Sequence, residues 1–471
     1  MHAVAQISTG RCQRSAPGKI ATVVDTLAAA PPTSGDAAGV PAQAPWRLGL
    51  AIATVAFLVR LVPAALAYGT SDVSTWELLG RLLLSGDNFY ATQLHNWPVL
   101  WIYFCSAAVL IHDASGLPFF TLIKLPPIAA DAAIALLLYH WSFRTERSPR
   151  WAATIALAYA LNPVSILISG YHGQFDSLML APTVLACWLI SNEPTKPLRR
   201  ELQTVPDGGA LTTLAPAQSQ DDVGTFGGPQ LACSALALGL GIWFKPVPLL
   251  LLPILLPRLR TWRRRMLFTV LAVAPATLGT LPYFVRWPND VAENFFGYSS
   301  WFGQWGYPVA WMVVEYVRNG TIPWWLPDPE FVSRPLHLMY LAGRYVLVAA
   351  LAATWWLIYR RRMELLRAIS ATFAVFYFAT SGFGVQYLLW IIPFATARRD
   401  RWLWPFTLAA TVLLVVAYSL GAAYMPMETI PDNAPSAREF LVKLATLPTW
   451  IASGLWAWSL IFRQSTRPEN A

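Results

Sequence analysis

The chain has 471 residues, of which 56% are hydrophobic and only 13% charged, and its mean hydropathy is +0.45. Soluble domains carry roughly a quarter charged residues, so this composition excludes a water-soluble globular protein. The net charge of +9 arises from Arg clustered between apolar runs, the pattern of cytoplasmic membrane loops and not of a nucleic-acid-binding surface.

In chain order, residues 1–45 contain Arg but are rich in Ala, Pro, Ser and Gly and lack a continuous apolar core. They are expected to form a disordered cytoplasmic tail, not a signal peptide. A first span is predicted over about 48–68, followed by a long external stretch at 69–117. Within that stretch Val73 to Leu84 reads as an amphipathic helix, with Trp76, Leu79 and Leu83 recurring on one face. Trp97 to Ile111 is apolar but short for a span, which suits a re-entrant or interfacial helix. Further spans are predicted over about 119–140, 151–169, 177–191, 230–243, 246–257, 266–284, 338–359, 366–381, 386–397, 402–424 and 447–462. The expected fold is therefore an all-α polytopic membrane protein with about twelve transmembrane helices, in a range of ten to thirteen. Residues 192–229, rich in Pro, Gln, Thr and Gly, are expected to form a flexible cytoplasmic linker, and 466–471 a short cytoplasmic tail.

The loops "SFRTERSPR", "RLRTWRRR", "YRRRMELLR" and "ARRDR" and the end "FRQSTR" hold most of the Lys and Arg. Placing all of them inside puts both termini in the cytoplasm of a plasma (inner) membrane protein. The external or periplasmic side then receives 69–117, 170–176, 285–337, 382–385 and 425–446. The four cysteines, Cys12, Cys105, Cys187 and Cys233, have neither pairing nor metal-ligand spacing, so no disulfide framework, zinc site or other cofactor is expected.

This topology gathers costly polar residues at the external face. Asp72 lies just beyond the first span, and His172, Gln174 and Asp176 lie in the short loop "GYHGQFD". Lys245 sits at the outer turn of "IWFKPVPLLLLP", Arg344 in the outer part of its span, and Gln386 and Tyr387 at the outer start of another. Charges near hydrocarbon tend to mark a functional cavity. A carboxylate there suits a general base acting on an acceptor hydroxyl, and a fixed cation suits a departing phosphate. Those are the needs of single-displacement transfer from a lipid-phosphate sugar, and the loop 285–337, with Trp287, Trp301, Trp305, Trp311, Trp324 and Trp325, supplies aromatic faces for sugar rings.

The stretch "SD" after the first span with "LLLSGDNFY" and "NWPVL" resembles the first external loop of the GT-C superfamily of membrane glycosyltransferases. "IKLPPIAADAAIALLLYHW", "LNPVSILISGYHGQFDSLML", "FKPVPLLLLPILL" and "SGFGVQYLLWIIPFA" resemble later segments of its polyprenyl-phosphate-mannose- or glucose-dependent members, so the likeness runs over about residues 48–400. The resemblance implies an inverting hexosyltransferase at the external face, most simply a mannosyltransferase, with Asp72 in the place of the catalytic carboxylate. It implies a polyprenyl-phosphate-sugar donor and a glycolipid or glycan acceptor in the bilayer, and it matches Asp176 to a second acidic position. The chain departs from the family where "HNWPVL" has Trp-Pro-Val in place of Tyr-Pro-Pro. No metal is assigned.

Each residue also has a structural reading. Asp72 and Asp176 can cap helices, His172 can be an interfacial polar residue, and Lys245 and Arg344 can snorkel to headgroups. Arg60 and Asp131, within spans, are expected to form a structural intramembrane pair, and Lys124 suits either role. The Trp-rich loop can be an aromatic belt. The competing function is a lipid or sugar transporter, which ought to place polar groups near the midplane between repeated halves. No internal repeat is visible, and the polar groups gather at one face.

Overall fold

The computed structural model of the protein describes residues 45–191, 228–297, 302–319, 334–421 and 436–463. Residues 1–44, 192–227 and 464–471, which carry most of the expected tails and linker, lie outside them, as do Trp301, Trp324 and Trp325.

The regular elements among the described residues are helices, as the hydropathy pattern predicts, with one isolated bridge between Phe302 and Gly382. The principal ones are α1 (Trp46–Leu66), α2 (Ser71–Ser85), α3 (Leu100–Ser115), α4 (Leu125–Glu146), α5 (Pro149–Ala160), α6 (Asp176–Ser191) and α7 (Gly228–Phe244). They continue with α8 (Trp262–Arg286), α9 (Pro288–Phe296), α10 (Gly306–Asn319), α11 (Arg334–Arg360), α12 (Leu365–Ala379), α13 (Leu403–Leu420) and α14 (Ser436–Phe462).

Among the described residues, 6 helices are long and apolar enough to cross a membrane, and a seventh span is possible if α5 continues through Pro163–His172 across a bend of 41°. Four of the remaining predicted spans fall on the shorter apolar helices α6, α7, Val247–Arg258 and α12, whereas the one predicted over 386–397 is a 3₁₀ turn, Val385–Leu389, followed by a helix of 7 residues, Ile392–Arg398, too short to cross. A helix of 16 residues is roughly 24 Å long against a hydrocarbon core of roughly 30 Å, so the structure does not fix the count at twelve. The amphipathic segment forms α2, with Val73, Trp76 and Leu79 buried, and it packs on α3, where Ser106 donates to the Gly80 carbonyl at 3.1 Å.

The chain break that shapes the site follows α5. Asn162 accepts from the Val164 N–H at 3.0 Å and Pro163 occupies the first helical position, so one helix stops and another starts within the span. The new helix widens to a π-helical turn over Ile166–His172 and ends at Gly173, whose φ of +82° a side chain would strain. The Arg60–Asp131 pair predicted from the sequence is formed, at 3.0 Å, and it grips this turn. Asp131 also accepts from Tyr159 and Ser169, and Arg60 donates to the Ala160 carbonyl at 2.8 Å and to Ser165 Oγ at 2.7 Å.

Candidate active site

The π-helical turn delivers His172 and Gln174 to Asp72, which stands in the first turn of α2. Thr70 is the residue that precedes that helix, and no side chain caps its start. His172 Nε2 lies 2.9 Å from Asp72 Oδ2, and the Gln174 amide donates to the same oxygen. His172 Nε2 and Gln174 Nε2 are 3.2 Å apart because both point at that one acceptor. Asp72 Oδ1 accepts no hydrogen bond among the described residues, and the side chain is 42% exposed while His172 is buried. One carboxylate oxygen is therefore held and the other is open.

Behind His172, its Nδ1 meets the hydroxyl of Tyr418, on the last turn of α13, at 2.9 Å. The sequence reading missed Tyr418. Its signal was a phenol near the end of an apolar run, which the aromatic belt of any membrane protein also produces.

Asp176 and Lys245, expected as separate contacts of a substrate, pair with each other at 2.6 Å, both fully buried. The other Asp176 oxygen accepts from the indole of Trp390 at 2.6 Å, a second residue the sequence reading missed. The ammonium lies over Phe175 at 4.2 Å and Trp97 at 5.3 Å, so the pair is enclosed by rings, with Tyr387 at 6.0 Å. Tyr387 thus joins the site as a wall. Gln386 is half-buried with its amide turned back on Gly384, and Arg344 is exposed, donating to Tyr345 at 3.0 Å. Neither touches Asp72 or His172 among the described residues. Of the described tryptophans of the external loop, Trp305 is buried and donates to the Tyr377 carbonyl at 2.6 Å, Trp311 donates to Glu315, and Trp287 packs on Phe89. None of these three contacts involves Asp72.

Lys124 is also buried, and its ammonium donates to the Ala67 carbonyl at 2.7 Å, beneath Gly69 and Gly173. It joins the strand of chain leading to Asp72 to the turn carrying His172. Among the described residues no group of three or more His, Cys, Asp or Glu could hold a metal ion.

Beside Lys245, an apolar cavity of about 420 Å³ lies between α7, the Val247–Leu251 turn, α8 and α9. Ile242, Pro246, Leu249, Phe284 and Phe295 form much of its wall. α9 closes over the segment between α2 and α3 through polar contacts, Asn88 to Asp290 at 2.7 Å and Asn294 to the Tyr90 carbonyl at 2.8 Å.

No protein-family model and no curated protein matches the chain. Among solved structures, it is similar to ArnT from Cupriavidus metallidurans in its crystal structure bound to undecaprenyl phosphate. That likeness covers 88% of this chain and 76% of the other, at 14% identity and a TM-score of 0.45.

Proposed function

We propose that the protein is an inverting glycosyltransferase that moves a hexose from a polyprenyl-phosphate sugar to a hydroxyl of a glycolipid or glycan acceptor at the external face. The observation that carries this reading is the state of Asp72. Two donors hold Oδ2 and leave Oδ1 outward, the arrangement a carboxylate needs to take a proton from an incoming hydroxyl. In the transfer the acceptor oxygen attacks the anomeric carbon as Asp72 Oδ1 removes its proton. The bond from that carbon to the phosphate oxygen breaks, and the lipid phosphate departs with the electron pair.

Lys245 is the cation suited to that departing charge. Its bond to Asp176 uses one of three N–H donors, and because Phe175, Trp97 and Tyr387 enclose the ammonium, a phosphate oxygen joins the pair only when one of these rings moves aside. Pro246, next in the chain, lines the apolar cavity, an apolar space suited to a prenyl tail. Mannose is the first sugar to test and glucose the second, on the strength of the sequence resemblance.

The test is transfer from radiolabelled polyprenyl-phosphate-mannose, and separately -glucose, to membrane lipid by the purified chain in bilayers. Asp72→Asn is expected to lower transfer roughly 10²–10⁴-fold. Transfer that survives the substitution would remove Asp72 as base, and consumption of neither donor would remove the donor class.

A further inference from the structure

We propose that Tyr418 is a positioning residue for the Asp72 carboxylate, acting through the imidazole of His172. The proposal rests on the reading of Asp72 as the base.

His172 joins the two groups directly, with Nε2 at 2.9 Å from Asp72 Oδ2 and Nδ1 at 2.9 Å from Tyr418 Oη. An ionised carboxylate only accepts hydrogen bonds, so the nitrogen facing it must carry the hydrogen. In a neutral imidazole the other nitrogen then only accepts, and the phenol must donate to it. The chain of donors runs one way, from the Tyr418 hydroxyl through the ring to Oδ2, and each bond polarises the next. With the phenol removed, Asp72 still keeps the hydrogen on Nε2, but Nδ1 loses its donor and the ring loses one of its two anchors. The imidazole is then free to tilt, and the Nε2–H···Oδ2 bond that holds Asp72 loses its alignment.

Two further features fix this geometry. The His172 and Tyr418 rings meet edge to face, with centroids 5.4 Å apart, so the phenol holds the ring's orientation while Asp72 sets its tautomer. Roughly three turns earlier on α13, Thr407 accepts from Asn162 Nδ2 at 3.2 Å, at the break where the helix carrying His172 begins. α13 is thus bound to that broken helix at both ends. Because Gln174 also holds Oδ2, the effect of the array is to aim Oδ1 outward, toward the acceptor.

The experiment compares the native chain with Tyr418→Phe, which keeps the ring and removes only the hydroxyl. In protein labelled with ¹⁵N in its imidazoles, the His172 signals are assigned by their loss in His172→Gln. The native signals are expected to show the Nε2–H tautomer with Nδ1 accepting a hydrogen bond, and those of Tyr418→Phe the same tautomer with the Nδ1 signal moved to the position of a nitrogen that accepts none. In the transfer assay, Tyr418→Phe is expected to lower kcat ~10-fold with the donor KM unchanged. A native Nδ1–H tautomer, an Nδ1 signal unaffected by Tyr418→Phe, or a moved Nδ1 signal with kcat intact would each overturn the proposal. A moved Nδ1 signal in a chain that transfers no sugar would uphold the Tyr418–His172–Asp72 array and overturn the glycosyltransferase reading instead.

Discussion

Asp131 and Arg60 form an ion pair at 3.0 Å with neither side chain exposed, and the pair braces the helix break that carries His172 through Ser169 and Ser165. Two buried charges repay their desolvation only while both are present, so removing one partner costs about 3–5 kcal/mol and replacing both with apolar residues costs far less. Asp131→Asn and Arg60→Met are each expected to lower the melting temperature sharply. Asp131→Leu with Arg60→Met is expected to recover most of the loss. A double variant no more stable than either single one would mean that the pair is not the support of this helix break.

Asp176 and Lys245 are the contrasting case, a buried pair beside the proposed phosphate position. Lys245→Met together with Asp176→Leu is expected to melt close to the native temperature, yet to lose transfer at least ~10-fold. Each single variant is expected to lose both stability and transfer. Native transfer rates in the stable double variant would show the pair to be structural only.

These two pairs also show what a linear sequence makes legible. The apolar runs predict the helices because membrane insertion is a local property of composition. The positions of Asp72, His172 and Gln174 were legible too, since polar residues at the ends of apolar runs are conspicuous. Their partners were not. Trp390 stands 214 residues from Asp176 and Tyr418 stands 246 from His172, and in an apolar chain rich in aromatics nothing local distinguishes these rings from their neighbours. The pairing of Lys245 with Asp176, in place of separate substrate contacts, likewise depends on how α6 and α7 pack.

The turn that carries His172 makes its own prediction. A Cβ at position 173 would stand 2.8 Å from Lys124 Cγ, on a backbone with φ of +82°. Gly173→Ala therefore meets both backbone strain, of about 1–3 kcal/mol, and a clash with the Lys124 stem. Transfer is expected to fall at least ~10-fold, because His172 and Gln174 lose register with Asp72. Lys124→Met is expected to relieve little of this, since it keeps a stem of similar bulk. Full transfer by Gly173→Ala, measured on folded protein, would show that the turn tolerates displacement.

His95, buried between α2 and α3 against Phe89 and Tyr90, is expected to make stability depend on acid. Burial lowers its pKa from 6.5 to about 4, opposed in part by its bonds to the backbone at Pro98 and Trp97. Below pH 6.5 the unfolded chain takes up a proton that the folded one refuses, so stability is lost as pH falls from there to about 4. The full effect is on the order of 3 kcal/mol. Melting temperatures followed across that window are expected to fall less steeply for His95→Gln than for the native chain. Equal slopes would assign the acid sensitivity to other groups.

The apolar cavity separates a lipid-linked donor from a soluble one. Thr277 lies on its wall, formed here by α8, and is not part of the polar cluster around Asp72. Thr277→Trp would fill part of the space and leave the base untouched. Each buried CH₂ of a prenyl chain contributes about 0.8 kcal/mol, so excluding even one isoprene unit ought to raise the KM for a long-chain donor at least ~10-fold. A donor with a chain too short to reach the cavity is expected to show little change. The two donors must therefore diverge in KM while kcat stays similar for both, because the reacting carbon lies outside the cavity. An equal loss for the two chain lengths would place the tail elsewhere and leave the cavity as packing space between α8 and α9.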